Sequence, residues 1–112
     1  MNGAITLHDN AALTSIAAFG SLAQVDGLEV ATCDSLVDLS TFAALRVVDG
    51  DLVLDGNTSL TDVSALSGIE EIHGDLILRG NTSLADADAQ ALVTAIGEEN
   101  VSGTVTLEDN GG

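Results

Sequence analysis

Apolar residues follow two alternating rhythms along this chain. In the first, two apolar positions flank a single outward one: Ile5/Leu7, Leu28/Val30, Leu52/Leu54, Leu76/Leu78 and Val105/Leu107. This is the period-two mark of a half-buried strand. Three residues after the second apolar position stands Asn10, Cys33, Asn57, Asn81 or Asn110. The rhythm then changes to a spacing of three, through Leu13, Ile16, Phe19, Leu22 and Val25, then Leu36, Leu39, Phe42, Leu45 and Val48, then Leu60, Val63, Leu66, Ile69 and Ile72. Such a run matches neither a regular α-helix nor a continuous strand. It suits a coil whose wall turns corners.

The alternation is a repeat. The segment from Gly50 to Leu60 returns as Gly74 to Leu84, changed only at Val53/Ile77 and Asp55/Arg79. Weaker copies give turns starting near residues 3, 26, 50, 74 and 103. Units that bury little alone and much against their neighbours predict a solenoid, here one domain over residues 1–112. The step from Leu76 to Val105 is longer than those from Leu28 to Leu52 and from Leu52 to Leu76, which requires an insertion. The stretch Asp86 to Gly97 has an acidic start, an Ala-rich body and a Gly stop, so a short helix is expected over 86–97, with Ala91, Leu92, Ala95 and Ile96 on one side.

The column at 10, 33, 57, 81 and 110 accepts Asn or Cys, which reproduces the L-x-L-x-x-N/C core of leucine-rich repeats. It reads as an inward ladder, in which a side-chain amide bonds backbone at a bend and a thiol fills the same space. With its glycine, alternating strand, Asn, small pair and Leu-rich arm, the chain resembles the bacterial receptor L-domain-like proteins. The resemblance covers nearly the whole chain, including the closing helix followed by Gly-Thr-Val-Thr-Leu. It implies a mainly β fold, a right-handed parallel β-solenoid of about five turns, each ~23–24 residues long, within the range of leucine-rich repeats. It also implies an extracellular or cell-surface location and action by binding.

Composition narrows the partners. Apolar residues make up 46% of the 112 residues, with Phe19 and Phe42 as the only aromatics, so the core must be aliphatic. Eighteen Asp and Glu against two basic residues, Arg46 and Arg79, give a formal charge of −16, which repels nucleic-acid phosphates and anionic membranes. No apolar stretch approaches the roughly 18 residues of a membrane span, and the first twenty residues lack the basic start of a signal peptide. A protein or a second copy of the chain is therefore the expected partner, with no nucleic acid and no membrane insertion. Absence of Lys beside abundant Asp also fits a halophilic or marine source, for which thermal stability should rise with NaCl.

Chemistry-bearing residues are sparse. Cys33 is expected inward and His8 outward, so they form no nucleophile pair. The single Cys allows no internal disulfide. His73 has no second ligand at zinc spacing. Asp26, Asp49, Asp51, Asp55 and Asp75 offer at most a weak surface calcium site, with no EF-hand or β-roll calcium motif. No cofactor and no metal are expected. Asn57, Asn81 and Asn100 each begin an N-x-[ST] sequon, the first two already explained by the ladder. Walker, G-x-S-x-G and H-E-x-x-H motifs are absent, so the chain is expected not to be an enzyme.

Two functions remain. The outward strand residues would form one flat parallel sheet, with Thr6, Glu29, Val53, Ile77 and Thr106 along its centre, Val53 and Ile77 exposed side by side, and Asp51, Asp55, Asp75 and Arg79 on the flanks. Repeat proteins bind through such faces. The alternative is a structural subunit, a homopolymer stacked head to tail through uncapped ends at Ile5, Leu7, Leu13, Val105 and Leu107.

Overall fold

The computed structural model describes residues 4–8, 23–37, 39 and 42–111. Their order is β1 (Ala4–His8), β2 (Gln24–Val25), β3 (Gly27–Ala31), β4 (Val47–Val48), β5 (Leu52–Asp55), β6 (Glu71–Ile72), β7 (Leu76–Arg79), α1 (Asp86–Ile96) and β8 (Val105–Glu108). Each repeat contributes one strand to a five-stranded sheet, ordered β1-β3-β5-β7-β8 and parallel throughout. The register aligns equivalent residues: Leu28 faces Leu52, Leu52 faces Leu76, and Leu76 faces Val105. With no slip, every inward side chain stays inward through the sheet.

A second sheet lies opposite, three parallel strands of two residues each, β2-β4-β6. An isolated bridge from Ile72 to Val101 carries it one step further. The sequence pattern predicts the first sheet and is silent on this one. Two residues are too few to display an alternation, so this second sheet has no period-two signature. Among the described residues neither sheet closes into a barrel.

The spacing of three has a direct cause. The N–H groups of Leu36, Phe42 and Leu45 donate to the carbonyls of Cys33, Leu39 and Phe42, and those of Leu60, Leu66 and Ile69 to Asn57, Val63 and Leu66. Each bond spans three residues, as in a 3-10 helix, which brings every third side chain to the same side. One such stretch, Ser64–Gly68, is long enough to be a 3-10 helix. The eclipsed residues Leu36, Leu39, Phe42, Leu45, Leu60 and Leu66 are fully buried, together with Val48 and Ile72 of the second sheet and Leu52, Leu54, Leu76 and Leu78 of the first. Residues of both sheets, of the 3-10 turns and of the segment Asp86–Ile96 thus share one continuous, mainly aliphatic core.

α1 enters where the long step predicted it, ending at Gly97, whose φ of 89° stops the helix as its N–H bonds Val93 O. Asp86 and Asp88 lie in its first turn, where the helix dipole favours anions. Its buried face is Ala89, Leu92, Val93 and Ile96, a correction to the face expected from sequence. These positions follow i, i+3, i+4, i+7 from Ala89, which turns Ala91 and Ala95 out to the surface. No helix among the described residues is long and apolar enough to cross a membrane.

Candidate functional site

On the outward face of the five-stranded sheet, Thr6, Glu29, Val53, Ile77 and Thr106 stand in one register row. Thr6 is exposed; the other four are half-buried. Val53 and Ile77, expected as exposed, are shielded by their row neighbours, because side chains on strands about 4.8 Å apart cover one another. The only large hydrophobic residue standing exposed among the described ones is Val37, elsewhere on the surface. A shallow depression of about 320 Å³ opens on the sheet where Gly27 has no side chain, beside Thr6, Glu29, Asp51 and Val53.

The flanks carry charge, much of it already used. Asp51 Oδ1 accepts the Asp75 backbone N–H at 2.8 Å, and Asp75 Oδ1 accepts that of Thr104 at 2.8 Å. These two carboxylates bridge successive repeats, a role the sequence reading missed. The recurring Gly-Asp pair at 50–51 and 74–75 is its signal. Gly74 lies so close beneath Asp51 that an added Cβ would stand 2.8 Å from Gly50 O as well as against Asp51 Oδ1. On the other flank Arg79 bonds Asp55 at 2.9 Å. The Asp55 carboxylate holds the guanidinium pKa above its usual value. His8, which shares a register row with Ala31, reaches diagonally to Glu29 at 3.0 Å.

Inside the sheet wall runs the second column. Cys33 N–H donates to Asn57 Oδ1 at 3.0 Å, Asn57 N–H to Asn81 Oδ1 at 3.0 Å, and Asn81 N–H to Asn110 Oδ1 at 3.3 Å. Each amide nitrogen donates to a carbonyl of that same preceding repeat, Asn57 Nδ2 to Val30 O, Asn81 Nδ2 to Leu54 O and Asn110 Nδ2 to Leu78 O, all at 2.9 Å, while Asn57 Nδ2 and Asn81 Nδ2 also reach forward to Asn81 Oδ1 and Asn110 Oδ1 at 3.2 Å. In the same place Cys33 Sγ faces Leu7 O at 3.8 Å. Asn57 and Asn81 are fully buried, and no buried side-chain polar atom among the described residues lacks a partner. Just before this column the backbone turns left-handed at Thr32, Gly56, Gly80 and Asp109, one position in each of four repeats. Asn10 lies outside the described residues.

Of the end residues, Ile5 is 5% exposed, while Leu7, Val105 and Leu107 are half-buried against the core. Leu13 lies outside the described residues. Val105 and Leu107 border an open hollow of about 340 Å³ beside Val93 and Thr94 of α1. His73 sits between Asp49 and Glu71, at 3.4 and 3.5 Å. No three His, Cys, Asp or Glu side chains among the described residues come together as a metal set. Asn100 is exposed, its Nδ2 bonded to Ile96 O at 2.8 Å.

No family model matches this chain, and no curated protein or solved structure is significantly similar to it.

Proposed function

We propose that the chain is a right-handed parallel β-solenoid of leucine-rich, receptor L-domain-like character. In this reading it is a non-enzymatic binding module, secreted or displayed at the cell surface, whose partner is a protein. The observation that carries the reading is the outward row Thr6, Glu29, Val53, Ile77 and Thr106, held in fixed register on a five-stranded sheet. A rigid sheet offers a partner contacts whose ordering cost is already met. The row also joins threonine hydroxyls and a carboxylate to two aliphatic side chains, a mixture suited to a protein surface rather than to a reaction. Cys33 is buried within the wall and His8 is exposed on its outer side, so the two do not pair as nucleophile and base.

The test uses Val53→Lys and Ile77→Lys together, which place two cations on the row without touching the core. Binding to surface proteins of the source organism, followed by hydrogen exchange on the complex, should protect 6, 29, 53, 77 and 106 in the parent chain. The double variant should bind at least tenfold more weakly. Undiminished binding would remove the sheet face as the site.

A second reading, head-to-tail self-assembly, is favoured by the two outermost strands. β1 and β8 each pair on one side only among the described residues. Continuing the register would set Val105 beside Ile5, Leu107 beside Leu7 and Glu108 beside His8 of a second copy. Light scattering and negative-stain microscopy across concentration and salt separate the readings. Filaments one molecule wide would favour assembly, and a monomer at all concentrations would eliminate it.

A further inference from the structure

Away from the sheet face, α1 and the 3-10 helix Ser64–Gly68 enclose a groove of about 400 Å³. Its floor is Val63 and Leu92, each 2% exposed. One side is the Asp88, Ala91, Leu92, Ala95 stripe of α1, residues that fall on one helical face. The other side carries Ser64 and Ser67, with Asp62 at the rim. The groove exists because Ala91 and Ala95 are too small to reach the opposite wall. Its volume lies within the range of small-ligand sites, about 300 to 1,000 Å³, and its lining is mainly apolar with a few polar groups.

Charge selects the occupant. Asp62 and Asp88 are the charged residues of the lining, and no cation faces them there. Neither arginine of the chain neutralises them: Arg79 is bound to Asp55, and Arg46 Nη1 donates to the Ala43 and Leu45 carbonyls. Asp62 Oδ1 accepts both the Ser64 hydroxyl and its backbone N–H, at 2.6 and 2.8 Å. Those bonds keep its pKa below the ordinary value, so Asp62 is ionised at neutral pH. An apolar slot with anionic rims fits a molecule with a short aliphatic body and a positive end.

We infer that this groove binds a small free aliphatic ammonium ion, its alkyl part over Val63, Leu92 and the two alanines and its ammonium at Asp62 and Asp88. The inference is independent of the sheet face. The probe is pentylammonium chloride, titrated into the full chain and followed by amide NMR, with ammonium chloride and 1-pentanol as controls at matched ionic strength. Saturable shifts confined to residues 61–67 and 88–95 are expected. Asp62→Asn and Asp88→Asn should each weaken binding about three- to fivefold, the scale of a solvent-exposed ion pair. Ala91→Leu should fill the groove and abolish binding; if it fails to fold, Ser67→Leu fills the groove from the opposite wall. Four results would overturn the inference: diffuse shifts equally produced by ammonium chloride, equal affinity for 1-pentanol, undiminished binding by the filled variant, or tighter binding of Nα-acetyl-lysine amide. The last would assign the groove to a lysine side chain of a protein partner.

Discussion

Asn57 and Asn81 lie inside the sheet wall and Asp51 and Asp75 outside it, yet both pairs perform the same task, accepting a backbone N–H across successive repeats. The inner position is dry. A carboxylate there would be an uncompensated buried charge, costing several kcal/mol. An amide is neutral and carries both a donor and an acceptor, so one side chain satisfies an N–H and a carbonyl of the preceding repeat while its Nδ2 also reaches the next amide in the column. The outer position faces water. There a carboxylate needs only one N–H partner, solvent satisfies its remaining lone pairs, and the charge adds to the solubility of the surface. Burial, more than task, decides which side chain each column uses.

The comparison predicts unequal losses. Asn81→Leu strands the Asn57 N–H and the Leu54 carbonyl in the core, while Asn110 Oδ1 keeps the backbone N–H of residue 81. It should cost about 3 kcal/mol in urea unfolding, since each buried orphan costs roughly 1–3 kcal/mol; a loss below about 1 kcal/mol would break the argument. Next is Gly74→Ala, which thrusts a methyl into Gly50 backbone and the Asp51 carboxylate. Its expected cost is about 2 kcal/mol, typical of overpacking where backbone must move. Combining it with Asp51→Ala should recover only part, because the Gly50 backbone remains in the way.

Smaller effects sharpen the contrast. Asp51→Ala removes a bond that water can replace and should cost about 1 kcal/mol, whereas Asp51→Asn keeps the acceptor and should stay within about 0.5 kcal/mol of the parent. A large loss for the Asn variant would mean that charge, rather than the hydrogen bond, is what the outer column needs. The smallest change runs the other way. Cys33→Asn gives Leu7 O an amide donor in place of a thiol 3.8 Å distant and should raise stability by about 0.5 kcal/mol, read from the thermal midpoint. Destabilisation would mean that this place is shaped for sulfur and that the column does not extend downward as an amide ladder.

These columns also mark what could be read from the sequence. The strand register and the Asn/Cys column were legible because both are periodic: alternation sets the face, and return at a fixed interval sets the partner. The helix was legible from the overlong step between Leu76 and Val105, although its buried face was not, since alanine is equally at home on either side. The second sheet left no signature in two-residue strands. Asp51 and Asp75 were read as flanks of a binding face because, among 18 acids, nothing in composition separates a carboxylate that bonds backbone from one that faces only water. Their adjacency to Gly50 and Gly74 was the available clue. The shielding of Val53 and Ile77 depends on neighbours one repeat away, which a single strand does not display. The groove beside α1 arises from two segments distant in sequence, and only packing brings them together.

The left-handed backbone position shared by Thr32, Gly56, Gly80 and Asp109 bears on how such a chain can change over generations. It fixes the phase at which each of these four copies bends, so size is quantised in whole units. Excising one whole unit between equivalent bends, such as residues 56–79, would reunite strand with strand and amide with backbone. A single-residue deletion would throw the alternation out of step and turn oily side chains to water. Heredity can therefore lengthen or shorten such a molecule by copying units far more readily than by editing within one. The near-identity of the segments beginning at Gly50 and Gly74 is what recent copying would leave.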